Sequence, residues 1–250
     1  MEARTRIIAF IPARYESSRF PGKPVADILG KPMIVRVYER ALLSPLLDEV
    51  YVATDSPEVM KAVHLYGGKV IGTSGDRASG TDRIAEAASA IGTSPDSVVV
   101  NIQGDQPLFE PSMVDEVVTP LLEDPSIPMS TLIYRILRDE ERTHPNAVKT
   151  VFDKDGFALY FSRATIPYSR LRDENPSYYK HHGIYAYRND FLQKFSRMPV
   201  SSLEALEGLE QLRALENGYR VKIIVTDKDS IEVDTPEDLQ RVREMYGKIV

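Results

Sequence analysis

The chain contains no cysteine. Disulfides, thiolate metal centres and a cysteine nucleophile are therefore excluded, and the absence suits a reducing compartment, here expected to be the cytoplasm. No apolar run approaches the roughly 18 residues that a membrane-spanning helix needs, so no membrane partner is expected. The run RIIAFIPA (6–13) is short and ends at a proline and an alanine, which reads as a strand and not as a signal peptide. Positive charge is also in deficit: 31 Lys and Arg face 37 Asp and Glu, a net charge of -6. A chain of that sign offers no broad basic face to nucleic acid, so any anionic ligand must be caught by local cations. GxxxxGK[ST] and GxGxxG are both missing, which removes the P-loop nucleotide hydrolases and the dinucleotide-dependent dehydrogenases.

What is present suffices for a large core. The 250 residues are 42% hydrophobic and 27% charged, values of an ordered globular chain. No repeat, low-complexity segment or Pro/Gly/Ser-rich linker divides it. One domain over 1–250 is expected, with an irregular β-rich insertion at about 129–190.

Short β-rich runs alternate with helical periodicity through the first half. RIIAFIPA, DEVYVATD (48–55), KVIGTS (69–74) and SVVVNIQGD (97–105) read as strands. Between them, Met33, Ile34, Val37, Tyr38, Ala41 and Leu42 recur at helical spacing, and further helices are expected from Pro57 to about Tyr66 and from about Thr81 to Gly92. This alternation predicts an α/β fold with a doubly wound, mainly parallel sheet. Ligands of such sheets bind beyond the carboxyl ends of the strands, which singles out the residues after Pro12, Thr54, Thr73 and Gln103. The second half reads as four strands, MSTLIYRI, NAVKTVFD, ALYFSRATIP and HHGIYAYR, forming a smaller antiparallel insertion. A long helix SLEALEGLEQLRALENG closed by Gly218, a strand YRVKIIVTD and a last helix TPEDLQRVREMYG follow.

Three strand ends carry groups suited to chemistry. Arg14, Ser17, Ser18, Arg19, Gly22 and Lys23 follow the first strand. These cations suit a triphosphate, or they form a solvated basic loop. Ser79, Gly80, Thr81 and Asp82 stand at a helix start, where they either cap the helix or border a base or phosphate. Asp105 in NIQGDQP follows a buried strand. It is placed for a divalent cation, although Gly-Asp-x-Pro is also turn chemistry. In SIEVDTPEDL, capping accounts for Thr235, Pro236, Glu237 and Asp238 and leaves Asp234 without a local task. Two aspartates at two ends of one sheet can share a metal ion.

PARYESSRFPGKP, ATD, SGTDRIAEA, NIQGDQP, ALYFSRATIP, HHGIYAYR, LEALEGLEQLRALENG and VDTPEDL occur in that order. The series resembles the 3-deoxy-D-manno-octulosonate (Kdo) cytidylyltransferases, or CMP-Kdo synthetases, from about Arg6 to Met245. It sets the chain apart from CMP-sialic acid synthetases and most sugar-1-phosphate nucleotidyltransferases. The resemblance implies transfer of CMP from CTP to Kdo, with release of pyrophosphate, for lipopolysaccharide biosynthesis. It implies Mg²⁺ as cofactor on Asp105 and Asp234, and Lys23 and Arg14 beside them as catalytic groups. Ala13, Arg14, Ser17, Arg19, Lys23, Ser79, Gly80, Thr81 and Gln103 would hold the nucleotide. Arg163, His181, Tyr185, Glu210 and Gln211 would hold the sugar, with Arg163 forking onto its carboxylate. Taken without the resemblance, His181 reads as a core histidine and Glu210 as a solvated helix residue. A homodimer is implied as well. The alternatives are the same chemistry on the 8-amino-3,8-dideoxy analogue, or a nucleotide-binding regulator without catalysis.

Overall fold

The structure, a computed structural model, describes residues 4–16, 20–76, 79–170 and 176–249. Ser17 and Arg19, two of the expected phosphate contacts, lie outside the described residues, as does most of the loop after Ser169.

Strand β1 (Ile7–Ala13) is buried almost throughout. Ile7, Ala9, Ile11 and Ala13 point into one core cluster, and Ile8 and Phe10 into another. A strand with apolar side chains on both faces needs cover on both faces, and that places β1 in the middle of the sheet. A two-residue ladder follows, β2 (Asp27–Ile28) with β3 (Lys31–Pro32). Next come α1 (Met33–Ala41), β4 (Glu49–Thr54), α2 (Pro57–Leu65), β5 (Val70–Gly72), α3 (Gly80–Ala90) and β6 (Val98–Asn101). β1 pairs in parallel with β4 and β6, and β4 with β5, so the expected parallel block is present. The fourth strand ends at Asn101, four residues before Asp105, and IQGD (102–105) turns away as a loop.

Helix α4 (Ser112–Glu123) has no counterpart in the sequence reading. Pro120 lies inside it and reads as a breaker, yet Met113, Val114, Val117, Val118 and Leu121 form a buried stripe at helical spacing. The β-rich segment supplies β7 (Met129–Arg135), the short α5 (Asp139–Thr143), β8 (Lys149–Phe152), β9 (Ala158–Ser162) and β10 (Tyr179–Arg188). β10 lies antiparallel between β6 and β7, so both β7 and β10 belong to the central sheet, while β8 and β9 stand off β10 as an antiparallel pair. α6 (Asn189–Phe195) follows.

The expected long helix over 202–218 is two short ones, α7 (Ser202–Glu207) and α8 (Leu212–Glu216). Gly208 takes φ 62° and ψ 42° and ends α7, a left-handed conformation that costs glycine little and other residues more. The sheet closes with β11 (Val221–Thr226), parallel to β7, giving the order β11-β7-β10-β6-β1-β4-β5. α9 (Pro236–Ile249) then packs Leu239, Val242 and Tyr246 with Ile28, Met33, Leu108 and Val233 in a third, smaller core. That core ties the far end of the chain to the turn after β1.

Candidate active site

Two glycines make room for the site. A Cβ at Gly104 would stand 3.0 Å from the Pro12 carbonyl oxygen, and one at Gly80 would stand 3.4 Å from Pro12 Cγ. Without side chains there, the end of β6 and the start of α3 close onto the end of β1. A cavity of about 410 Å³ opens at this junction, lined by Pro12, Ala13, Arg14, Lys23, Gly80, Gln103 and Asp105 among others. Three of the four strand-end segments singled out from sequence thus meet in one cavity, the third through Gly80. After β4, by contrast, Asp55 is engaged 3.0 Å from the fully buried Arg83.

Lys23 is the junction of the site. Its Nζ lies 2.7 Å from Asp105 Oδ2 and 3.5 Å from Asp234 Oδ1. Asp105 comes from the β6 loop and Asp234 from the approach to α9. The Val233 N–H donates to the Asp105 carbonyl at 2.9 Å and fixes one segment against the other. At the start of α9, the Asp234 and Thr235 amides and the Thr235 hydroxyl donate to the Asp238 carboxylate. Asp234 is thereby left with a carboxylate turned toward Lys23. Two oxygen-donor carboxylates around one cation suit a hard divalent ion, whose remaining positions water and phosphate oxygens would fill. No group of three or more His, Cys, Asp or Glu side chains that could hold a metal ion occurs among the described residues; a bound ion would have Asp105 and Asp234 as its protein ligands.

Glu232 is a third carboxylate at this point, which the sequence reading passed over. Its Oε1 accepts from Gln106 Nε2 at 2.9 Å. Its carboxyl is pushed up to about 7, by desolvation first and then by the facing Asp105. Glu232 stands two residues before Asp234, the spacing that puts side chains on one side of a strand, and the Asp234 charge also raises its carboxyl. A second cavity of about 410 Å³ begins beside this pair and is lined by His181, His182, Asp229, Glu232, Asp234 and Arg241 among others.

The helix start at α3 is a capping box. Ser79 Oγ accepts from the Asp82 amide, and the Asp82 carboxylate accepts from the Ser79 amide. Gly80 alone of Ser79, Gly80 and Thr81 lines the first cavity. The Thr81 hydroxyl instead donates to Glu210 Oε2 at 2.6 Å. Gln103 Nε2 donates to the Gly183 carbonyl at 2.9 Å, where β10 shifts register between His182 and Tyr185.

The five residues expected to hold a sugar lie on β10 and on segments packed near it. His181 Nε2 is 2.9 Å from Thr131 Oγ1, and its ring packs between Phe161 and Tyr185. Burial holds its pKa down at about 3, so the imidazole is neutral. His181 is half-buried: its ring packs among core aromatics and it also lines the second cavity. Burial also pushes the Tyr185 phenol well above its usual range, and Glu210 is raised mainly by burial. Gln211 is buried, and its Nε2 has no hydrogen-bond partner among the described residues. Arg163 donates to the carbonyls of Glu207, Pro145 and Gly208. Gly208, which breaks the long helix, is therefore also one of the carbonyls that aim this guanidinium.

Comparison with known proteins gives concordant matches. A family model described as cytidylyltransferase matches residues 8–229. The chain is 59% identical to a 3-deoxy-manno-octulosonate cytidylyltransferase of Syntrophus aciditrophicus, over 96% of this chain and 97% of that protein. It is 51% identical to an 8-amino-3,8-dideoxy-manno-octulosonate cytidylyltransferase of a Shewanella species, over 94% and 96%. A solved structure of CMP:2-keto-3-deoxy-manno-octonic acid synthetase complexed with CTP superposes with a TM-score of 0.92 at 43% identity, covering 98% of this chain and 100% of that one.

Proposed function

The chain belongs to the cytidylyltransferase family, and from that premise we propose that it transfers the cytidylyl group of CTP to Kdo, yielding CMP-Kdo and pyrophosphate. The observation that carries the reading is Lys23 bracketed by Asp105 and Asp234 at the carboxyl edge of the parallel sheet, beside the glycine-lined cavity. The triphosphate of CTP would lie along Arg14 and Lys23. Asp105 and Asp234 would hold Mg²⁺, which when bound supplies positive charge to the phosphate oxygens.

The anomeric hydroxyl oxygen of Kdo attacks the α-phosphorus in line. The bond from that phosphorus to the β-phosphate bridge breaks, pyrophosphate leaves, and the hydroxyl proton passes to solvent. Lys23 and Arg14 stabilise charge on the transferred and departing groups, and the walls of the cleft hold the two substrates in register. Arg163, His181, Tyr185, Glu210 and Gln211 would hold the acceptor. The sequence resemblance also leads us to expect a cytoplasmic homodimer, which light scattering tests for assembly; among the described residues no helix is long and apolar enough to cross a membrane.

Pyrophosphate release from CTP and Mg²⁺, with Kdo and its 8-amino analogue as parallel acceptors, tests the proposal. Faster release with Kdo is the expected result. A preference for the analogue keeps the chemistry and changes the substrate. CTP binding without release from either acceptor would refute the reading.

A further inference from the structure

We propose that Thr81 is a positioning residue of the acceptor side, which sets the Glu210 carboxylate from within the helix that borders the nucleotide cavity. The inference rests on the transfer reaction proposed above. Thr81 is 2% exposed and sits in the first turn of α3, directly after Gly80, which lines the nucleotide cavity. Its hydroxyl turns away from that cavity and donates to Glu210 Oε2 at 2.6 Å, across 129 residues of chain.

The surroundings leave the hydroxyls at the start of α3, Thr81 first, as the groups that set this carboxylate. Glu210 Oε1 is buried and has no hydrogen-bond partner among the described residues. The nearest cation is Arg213, whose Nη2 is 3.7 Å from Oε1, beyond hydrogen-bond reach. That guanidinium is already committed to Glu204 through Nε and Nη2. The Ser79 hydroxyl accepts from the Asp82 amide, which leaves its proton for Glu210, so it supports the same carboxylate after Thr81. The carboxylate is thus held from the first turn of α3, while 27% of the Glu210 side chain stays exposed and open to a ligand hydroxyl. The capping box of Ser79 and Asp82 fixes the first turn of α3, so the Thr81 hydroxyl is presented from a rigid element. Contact with the nucleotide at Gly80 and orientation of the acceptor residue at Thr81 thus belong to one helical turn. The physical consequence is that loss of the Thr81 hydroxyl injures acceptor use and spares the nucleotide.

The test compares wild type, Thr81→Val, Thr81→Ser, Glu210→Gln and the double variant Thr81→Val/Glu210→Gln. Val keeps the shape and removes the donor, while Ser keeps the donor. Readouts are steady-state pyrophosphate release with varied Kdo, and CTP affinity by calorimetry in the absence of acceptor. The expected result for Thr81→Val is a fall of about tenfold or more in kcat/KM for the acceptor, the size of a lost hydrogen bond to a charged group. CTP affinity should stay within about twofold, and Ser should restore most of the loss. The double variant should be no worse than Glu210→Gln alone, because the two changes remove one interaction. A matching loss of CTP affinity in Thr81→Val would overturn the proposal by making Thr81 a nucleotide contact. Unchanged acceptor kinetics, or additive losses in the double variant, would overturn it too. Failure of the wild type to use either octulosonate, with CTP still bound, identifies failure of the underlying reaction and overturns the inference with it.

Discussion

Arg213→Met should be among the most destabilising single changes in the α7–α8 region. Arg213 and Glu204 are 5% and 8% exposed. Arg213 Nε donates to Glu204 Oε2 at 2.8 Å, and Nη2 donates to Oε1. The guanidinium also lies 4.9 Å over the Phe195 ring. Met keeps the apolar contact with Phe195 and strands the Glu204 carboxylate in the interior. Breaking a buried pair from one side costs about 3–5 kcal/mol, most of it the penalty of the unpaired charge. For a chain of this size that corresponds to a fall in Tm of roughly 6–20 °C. The double variant Arg213→Met/Glu204→Gln removes both charges, and Gln keeps an oxygen for the Ser201 amide that Glu204 now accepts at 3.0 Å. It should recover about 2 kcal/mol of the loss, since removing both charges together is far cheaper than removing one. Urea unfolding followed by circular dichroism measures all three proteins. A double variant no more stable than Arg213→Met would refute the reasoning, because the cost would then come from lost packing and not from an unpaired charge.

Other consequences are open to measurement. Asp105→Asn and Asp234→Asn should each lower turnover by about a hundredfold or more, the scale of removing one stabilising group from a transition state, with Tm nearly unchanged; near-normal Mg²⁺-dependent turnover in either would remove the metal role. Gly104→Ala forces a Cβ to 3.0 Å from the Pro12 carbonyl oxygen, a backbone atom that cannot swing aside. It should cost about 1–3 kcal/mol of overpacking strain and weaken CTP binding, whereas full stability by urea titration would show that the junction is slack. Burial depresses His181 to about 3 and His182 to about 4, below the unfolded value near 6.5. The unfolded chain therefore binds more protons as pH falls through 6.5, and folded stability is present above that pH and lost below it. Each histidine should account for about 1–2 kcal/mol of loss between pH 7.5 and pH 5; a flat stability profile across that window would contradict the burial.

The alternation of strands and helices was legible because apolar periodicity responds to burial, and burial repeats along each element. RIIAFIPA has a side chain for each face of a covered sheet, and it lies at the sheet centre. Asp234 was legible by elimination, as the acid that capping of α9 leaves over. The missed and altered elements have particular causes. Pro120 obscured α4, although the buried stripe around it was intact. The run over 202–218 has helical composition throughout, and the break at Gly208 places its carbonyl on Arg163, a partner 45 residues away.

By itself the sequence determined the alternating strands and helices of the first half, where a parallel sheet exposes its carboxyl ends, and which charged groups stand there. These follow from local spacing and residue chemistry. Only the tertiary structure decided that Lys23 lies between Asp105 and Asp234, that Glu232 joins them, and that the Thr81 hydroxyl faces Glu210 and not the cavity at the end of β1. The physical reason is that these pairings are made 82 to 211 residues apart in the chain. Their direction is set by which neighbour takes each hydrogen bond, and no local pattern of residue types records that choice.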